Sequence, residues 1–253
     1  MSELGLQQAI RAAGGVTALS RRIGVAQPSV SNWRRVPAER VLAVEAVTGV
    51  SRAVLRPDLY QEAVAEAEAI EQARAQEYAL LATLLLRAPG GELLKQIASL
   101  RGDATPLGLA HVELADAAKD ADVEREFFDL FIGIGRGELL PYASYYLTGF
   151  LHERPLARLR EDLARIGVDR AEGVVEPEDH AGILCEIMSG LAGGQLPAPQ
   201  DAGRAIFVDH MAPWIGRFFS DLERAETADF YRRVGTVGRL FIEIETAAFA
   251  LPS

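Results

Sequence analysis

Two acid–histidine dipeptides, Asp179-His180 and Asp209-His210, are the first residues in this chain that could do chemistry, as metal ligands or as an acid–base pair. Adjacent residues on a helix face different sides, however, and no HxxxH or HxxE pair accompanies them, so no metal site is expected. A second candidate is Gly133-Ile134-Gly135-Arg136-Gly137, whose glycines suggest a loop that cradles phosphate. It lacks a third glycine at the right spacing, a preceding strand and a Lys-Ser/Thr, and reads as a turn. No Gly-x-Ser-x-Gly elbow or kinase signature is present. The lone cysteine, Cys185, excludes an internal disulfide and any CxxC site, and among Ile183, Leu184 and Ile187 it reads as a small buried hydrophobe. No catalytic residue, metal or cofactor is assigned. The expectation is a binding protein, not an enzyme.

Charge gives a second lead. The 253 residues carry a net −10, yet residues 1–60 hold eight arginines (11, 21, 22, 34, 35, 40, 52, 56) against four acids. That balance of +4 leaves −14 on the remainder, an asymmetry that suggests two domains with different partners. No apolar run approaches the roughly 18–20 residues that span a bilayer, and no basic-then-apolar leader opens the chain. A cytoplasmic protein without membrane insertion is expected.

The elements that must position these groups are helices. Strand patterns are nearly absent, while Phe230, Val234, Val237, Phe241 and Ile244 fall at spacings of 4, 3, 4 and 3, one buried stripe. Leu156, Leu159, Leu163 and Ile166 form another. Residues 62–76, rich in Ala and Glu, read as a solvated helix that leads into Tyr78, Leu81 and Leu85 and stops at Ala88-Pro89-Gly90-Gly91. Further breaks fall at 102–106, 133–141, 167–177 and 193–199. The architecture is therefore all-α: a head (1–60), a helical connector (61–76) and a larger bundle (77–253).

In the head, Thr17 is placed to N-cap a helix whose inner face is Leu19 and Ile23. Gly24 supplies a left-handed turn, Val25 plugs the angle, and Gln27-Pro28 opens a second helix with Val30 and Trp33 inward. Gln27, Ser29, Ser31, Asn32, Arg34 and Arg35 are left on outward or flanking positions, suited to base edges and phosphates. This stretch resembles the Cro-like helix-turn-helix, in its YdaS antitoxin-type version, over most of residues 6–60. The resemblance implies DNA binding. The alternative is a helical scaffold that binds protein or nothing. If the head works as a homodimer, half-sites should lie about one helical turn apart.

In the body, three segments stand in order: Glu126-Phe127-Phe128-Asp129-Leu130-Phe131-Ile132-Gly133 with Pro141-Tyr142-Ala143-Ser144-Tyr145-Tyr146; Glu176-Pro177-Glu178-Asp179-His180 with Glu186-Ile187-Met188; and Asp209-His210-Met211-Ala212-Pro213-Trp214 with Phe218-Phe219-Ser220-Asp221-Leu222. Pro177 is suited to the first position of a helix, with Glu176, Glu178 and Asp179 at its positive end. His180 there can pair with a carboxylate and offer a switchable tip at a groove edge, or simply cap the helix. Together these segments resemble the TorD family of redox-enzyme maturation chaperones over roughly residues 70–250. Phe127 and Ala181 depart from the family's usual Tyr and larger aliphatic. The resemblance implies binding of a molybdoenzyme catalytic subunit or its N-terminal signal segment, often a twin-arginine leader. Tyr142, Ser144, Tyr145, Glu176, Asp179 and His180 are the candidate client-binding residues, carboxylates for arginine and tyrosines for apolar parts. The function expected is a maturation chaperone with a fused DNA-binding head. The alternatives are a transcriptional regulator whose body senses apo-subunit, or one whose body only dimerises.

Overall fold

Helices dominate residues 2–119, 122–170, 176–199 and 201–251, the residues described in the computed structural model. Among them the sole extended pairing is an isolated antiparallel bridge between Tyr142 and His180. The chain divides into two compact units, Met1–Glu71 and Gln72–Ser253.

The first unit holds α1 (Ser2–Ala13), α2 (Val16–Arg22), α3 (Gln27–Ser31), a short 3-10 turn, α4 (Val41–Thr48) and α5 (Arg52–Leu55). Leu6, Leu19, Val30, Val41, Val44 and Leu55 meet in its core. The α2–α3 pair is a helix-turn-helix. Gly24, at φ 67, makes the left-handed step between them, a conformation that any Cβ would disfavour. Thr17 does not cap α2: Gly15 takes the N-cap position and no side chain bonds the helix start. The Gly14-Gly15 turn has already reversed the chain there, with the Gly15 N–H donating to Ile10 O at 2.8 Å.

α6 spans Pro57–Leu86 and includes the helical stretch expected at 62–76. The second unit continues with α7 (Gly91–Ala98), α8 (Pro106–Ala117), α9 (Val123–Phe127), a π-helical turn at 128–132, α10 (Ala143–Thr148), α11 (Arg154–Arg165), α12 (Ala181–Ala192), α13 (Ala202–Ile206), a second π-helical turn at 207–211, α14 (Ile215–Arg224) and α15 (Phe230–Ala250). Of the break expected at 167–177, residues 171–175 lie outside the described residues.

α15 packs against α14 and α8, and α6 reaches it through side chains. Phe230, Val234, Val237 and Phe241 are buried as their spacing requires, but Ile244 is 50% exposed. Glu245 replaces it, at 1% exposure. Its carboxylate accepts two bonds from Arg74 of α6, both 2.7 Å, and one from the Tyr78 hydroxyl at 2.8 Å. A bidentate guanidinium and a phenol make that burial tolerable. A carboxylate also fixes the other end of α15: Glu126 accepts from the N–H groups of Asp229, Phe230 and Tyr231 at 2.7, 3.1 and 2.7 Å. The first sequence motif is thus a remote cap on the positive end of the C-terminal helix.

Candidate functional site

Residues 141–144 and 179–181 lie side by side. The Ala143 N–H donates to Asp179 O at 2.9 Å and the Ala181 N–H to Pro141 O at 2.7 Å, which zips the end of one motif to the end of the next. Asp179, 1% exposed, then caps α10: Oδ2 accepts from the Ser144 N–H at 2.9 Å and from the Ser144 hydroxyl. Its other oxygen, Oδ1, is buried without a hydrogen-bond partner among the described residues. An orphaned carboxylate oxygen in the interior costs free energy unless a donor reaches it.

The zipper also sets where α12 begins. Pro177 is not its first residue; the helix starts four residues later at Ala181, and residues 176–179 form the turn that delivers Asp179. His180 is the N-cap, its Nδ1 accepting from the Gly182 N–H at 3.0 Å. It stands edge-on to Tyr142 at 5.1 Å and is 5% exposed. Burial drives its pKa down to about 4, against the pull of Glu176 and Asp179, so at neutral pH it is an uncharged cap and not a switchable tip. Because the folded value lies below the ordinary 6.5, the unfolded chain takes up the proton first. This group's contribution to stability is complete above about pH 6.5 and is lost as pH falls toward 4. His180→Asn should keep an acceptor at the cap and flatten that decline. Urea midpoints at pH 7.5 and 5 check it; an unchanged difference between the two pH values would rule His180 out as its source.

Around this core lies a small acidic cavity of about 240 Å3, walled by Tyr142, Leu151, His152, Glu176, Pro177 and Asp179. The Tyr142 hydroxyl donates to Glu176 Oε2 at 2.6 Å; burial and that carboxylate both push its pKa up, so it stays a neutral donor. Glu176 also borders a larger, mainly apolar cleft of about 590 Å3 between α11 and α12, floored by Leu163, Val168, Ile183, Ile187 and Leu196. On its rim Arg160 pairs with Glu178 at 2.8 Å. Asp179 further borders a third hollow with Leu147, Arg158, Asp162 and His210.

Of the candidate client-binding residues, Tyr142, Glu176 and Asp179 are therefore brought together at one cavity. Ser144 and His180 are buried, Ser144 against the Asp179 carboxylate and His180 at the start of α12. Tyr145 is half-buried against Tyr146 at 6.1 Å and is not part of the cavity wall. Leu151 and His152 are in that wall, and sequence reasoning does not reach them. The available signal is Gly149 ending a helix, followed by two large apolar residues with no core to enter. His210 is tied into the fold: its Nε2 meets Asp162 at 2.7 Å, and the buried Trp214 donates from Nε1 to His210 O at 2.7 Å, while Asp209 is exposed. At the glycine segment 133–137 the Gly133 N–H donates to Phe128 O at 2.7 Å. The Glu138 and Leu139 N–H groups donate to Asp129 and Leu130 carbonyls at 3.1 and 2.9 Å, which directs them away from any phosphate. No cluster of metal-ligating side chains occurs among the described residues.

In the first unit, Gln27, Ser29, Ser31, Asn32, Arg34 and Arg35 are all exposed. α3 ends at Ser31, so Arg34 and Arg35 project from the bend that follows it. Arg35 pairs with Asp58 at 3.2 Å, and the buried Arg56 pairs with the same carboxylate at 2.7 Å. Arg56's hydrogen bonds hold that carboxyl at about 2. Arg52 pairs with Glu45. Arg11, Arg21, Arg22, Arg34 and Arg40 make no ion pair among the described residues.

Residues 93–220, just over half of the chain, match the family described as nitrate reductase delta subunit, and residues 6–64 match the family described as bacterial toxin YdaS. The second match covers the stretch whose resemblance to a YdaS-type helix-turn-helix is read from the sequence. The chain is 29% identical over 136 residues to the chaperone protein TorD of Vibrio cholerae, covering 49% of this chain and 62% of that one. To TorD of Vibrio vulnificus it is 30% identical over 144 residues, covering 50% and 67%. To TorD of Aliivibrio fischeri it is 25% identical over 211 residues, covering 73% and 98%. A solved structure from Archaeoglobus fulgidus, provisionally described as a redox enzyme maturation protein, aligns with a TM-score of 0.47 at 22% identity, covering 67% of this chain and 93% of that one.

Proposed function

This chain belongs to the nitrate reductase delta subunit family, and from that premise we propose that its second unit is a maturation chaperone for a redox enzyme, one with a molybdenum cofactor. The client is the immature catalytic subunit, gripped through an N-terminal segment that is basic and then apolar. One observation carries the reading: the acidic cavity walled by Tyr142, Glu176 and Asp179. A guanidinium supplies donors and charge together, and it is the side chain best matched to paired carboxylates. The apolar cleft across Glu176 offers room for the residues that follow.

The first unit is read as a DNA-binding head. Its support is the helix-turn-helix with an exposed polar face and five arginines free of ion pairs among the described residues. The same observation favours a second reading, a transcriptional regulator in which the chaperone-like unit senses unassembled subunit or makes the dimer. No helix of the described residues is long and apolar enough to cross a membrane.

The test is a tagged pull-down from the native host, wild type beside Glu176→Gln. Glu176 is the residue to change, because replacing Asp179 would also uncap α10. Recovery of a redox-enzyme catalytic subunit by wild type and not by the variant supports the chaperone reading. Promoter DNA without any such subunit, in both samples, selects the regulator.

A further inference from the structure

Arg56 is the buried arginine of the first unit; the other arginines there are exposed. It stands between α5 and α6, and Pro57 after it keeps its backbone out of the helical region, at φ −144 and ψ 72. From there its guanidinium makes three bonds. Nη1 donates to Val36 O at 3.0 Å, while Nε and Nη2 grip the two oxygens of Asp58 at 2.8 and 2.7 Å. Val36, itself buried, directly follows the bend that carries Arg34 and Arg35. Asp58 Oδ2 accepts in addition from Arg35 Nη1 at 3.2 Å, and the Arg35 side chain is 55% exposed. The two arginines are unequal partners. Hydrogen bonds from Arg56 do most to depress the Asp58 carboxyl, and the charge of Arg35 does least. A bidentate, buried guanidinium holds the carboxylate; a single exposed contact only rests on it.

We propose that Arg56 is a positioning residue for DNA: it fixes the bend after α3 through Val36 O and neutralises Asp58, which leaves Arg35 free to take a backbone phosphate. The inference rests on the reading of the first unit as a DNA-binding head, and it names the buried group through which an exposed arginine works. Stability alone does not account for such a group, because apolar residues of similar volume usually serve as well as a buried ion pair. What the charge does to its neighbour accounts for it. Without Arg56, the Asp58 carboxylate would claim Arg35 as its ion-pair partner and would repel phosphate from the same face. With Arg56 in place, Asp58 is a weak tether that points Arg35 and yields it to a phosphate oxygen.

The test uses the full chain and a fluorescein-labelled duplex of mixed sequence, about 30 base pairs long, since phosphate contacts dominate such binding. Anisotropy titrations run at several salt concentrations, with thermal unfolding of each variant in parallel. Arg56→Gln should weaken binding at least about tenfold, the share of one charged hydrogen bond to phosphate, and lower the slope of log affinity against log salt by about 0.9. Arg56→Gln with Asp58→Asn should recover the wild-type slope, because no carboxylate is left to claim Arg35. Adding Arg35→Ala to that pair should remove the same 0.9 or so again. An unchanged slope in Arg56→Gln overturns the inference, and so does a loss that Asp58→Asn does not restore, which would make Arg56 a structural residue only. If Arg56→Gln alone does not fold, the neutral pair carries the test: a slope already one phosphate short there overturns the inference. In each of those cases a lower slope in Arg34→Ala leaves the DNA reading standing. Failure of wild type to bind the duplex in a salt-dependent way overturns both.

Discussion

Replacing Glu245 with alanine is expected to destabilise the second unit by about 3–5 kcal/mol, the usual cost of removing one partner from a buried ion pair. The alanine leaves the Arg74 guanidinium without its two 2.7 Å bonds and strands the Tyr78 hydroxyl, which is wholly buried. Arg74 keeps some exposure, 19% for its side chain, so the loss should fall nearer the lower figure. Glu245→Gln should lose less, because an amide oxygen can still accept from Tyr78. The measurement is urea unfolding of the full chain, followed through Trp214 in a Trp33→Phe background so that the signal comes from the second unit alone. A loss under about 1 kcal/mol would mean that the pair is no stronger than an exposed one.

The second large effect concerns DNA. Arg34→Ala with Arg35→Ala should weaken binding to a cognate duplex on the order of 10²-fold, since each charged hydrogen bond to phosphate contributes about 1.5–3 kcal/mol. The slope of log affinity against log salt should fall by about 1.8, close to 0.9 for each phosphate that is no longer neutralised. The two residues are not equivalent. Arg34 has no ion-pair partner among the described residues, whereas Arg35 pairs with Asp58, a carboxylate that Arg56 also holds. Titrations at several salt concentrations decide the matter, and an unchanged slope in the double variant would remove α3 and its bend from the interface.

How far the sequence could be read depends on the range of the forces involved. Local ones were legible: the stripe at Phe230, Val234, Val237 and Phe241, the stop after Leu86, and Gly24 between two short helices. Legibility failed where a distant partner decides. Between Ile244 and Glu245 the helical period is indifferent, and hydropathy favours the isoleucine; Arg74, 171 residues away, reverses the choice. Pro177 satisfies every local rule for opening a helix. The backbone bonds from Ala143 and Ala181 tie that stretch to residues 141–143, and α12 waits for His180. The acidic cavity was half legible, since its carboxylates and Tyr142 lie in recognisable motifs. That Ser144 and His180 would turn inward follows from the zipper, and Leu151 and His152 enter only through a turn that carries no motif.

Cys185 lies on α12 with no exposed surface, and burial pushes its thiol well above the ordinary range, so the reactive thiolate is suppressed in the folded chain. As the chain's one cysteine it is a native stopwatch. A thiol reagent can score a hit only when α12, the helix that His180 caps, swings out of the core, and the modification rate then counts those excursions. Peptide bound beside His180 should slow the count in proportion to its occupancy, which gives a ligand assay that requires no label on either molecule.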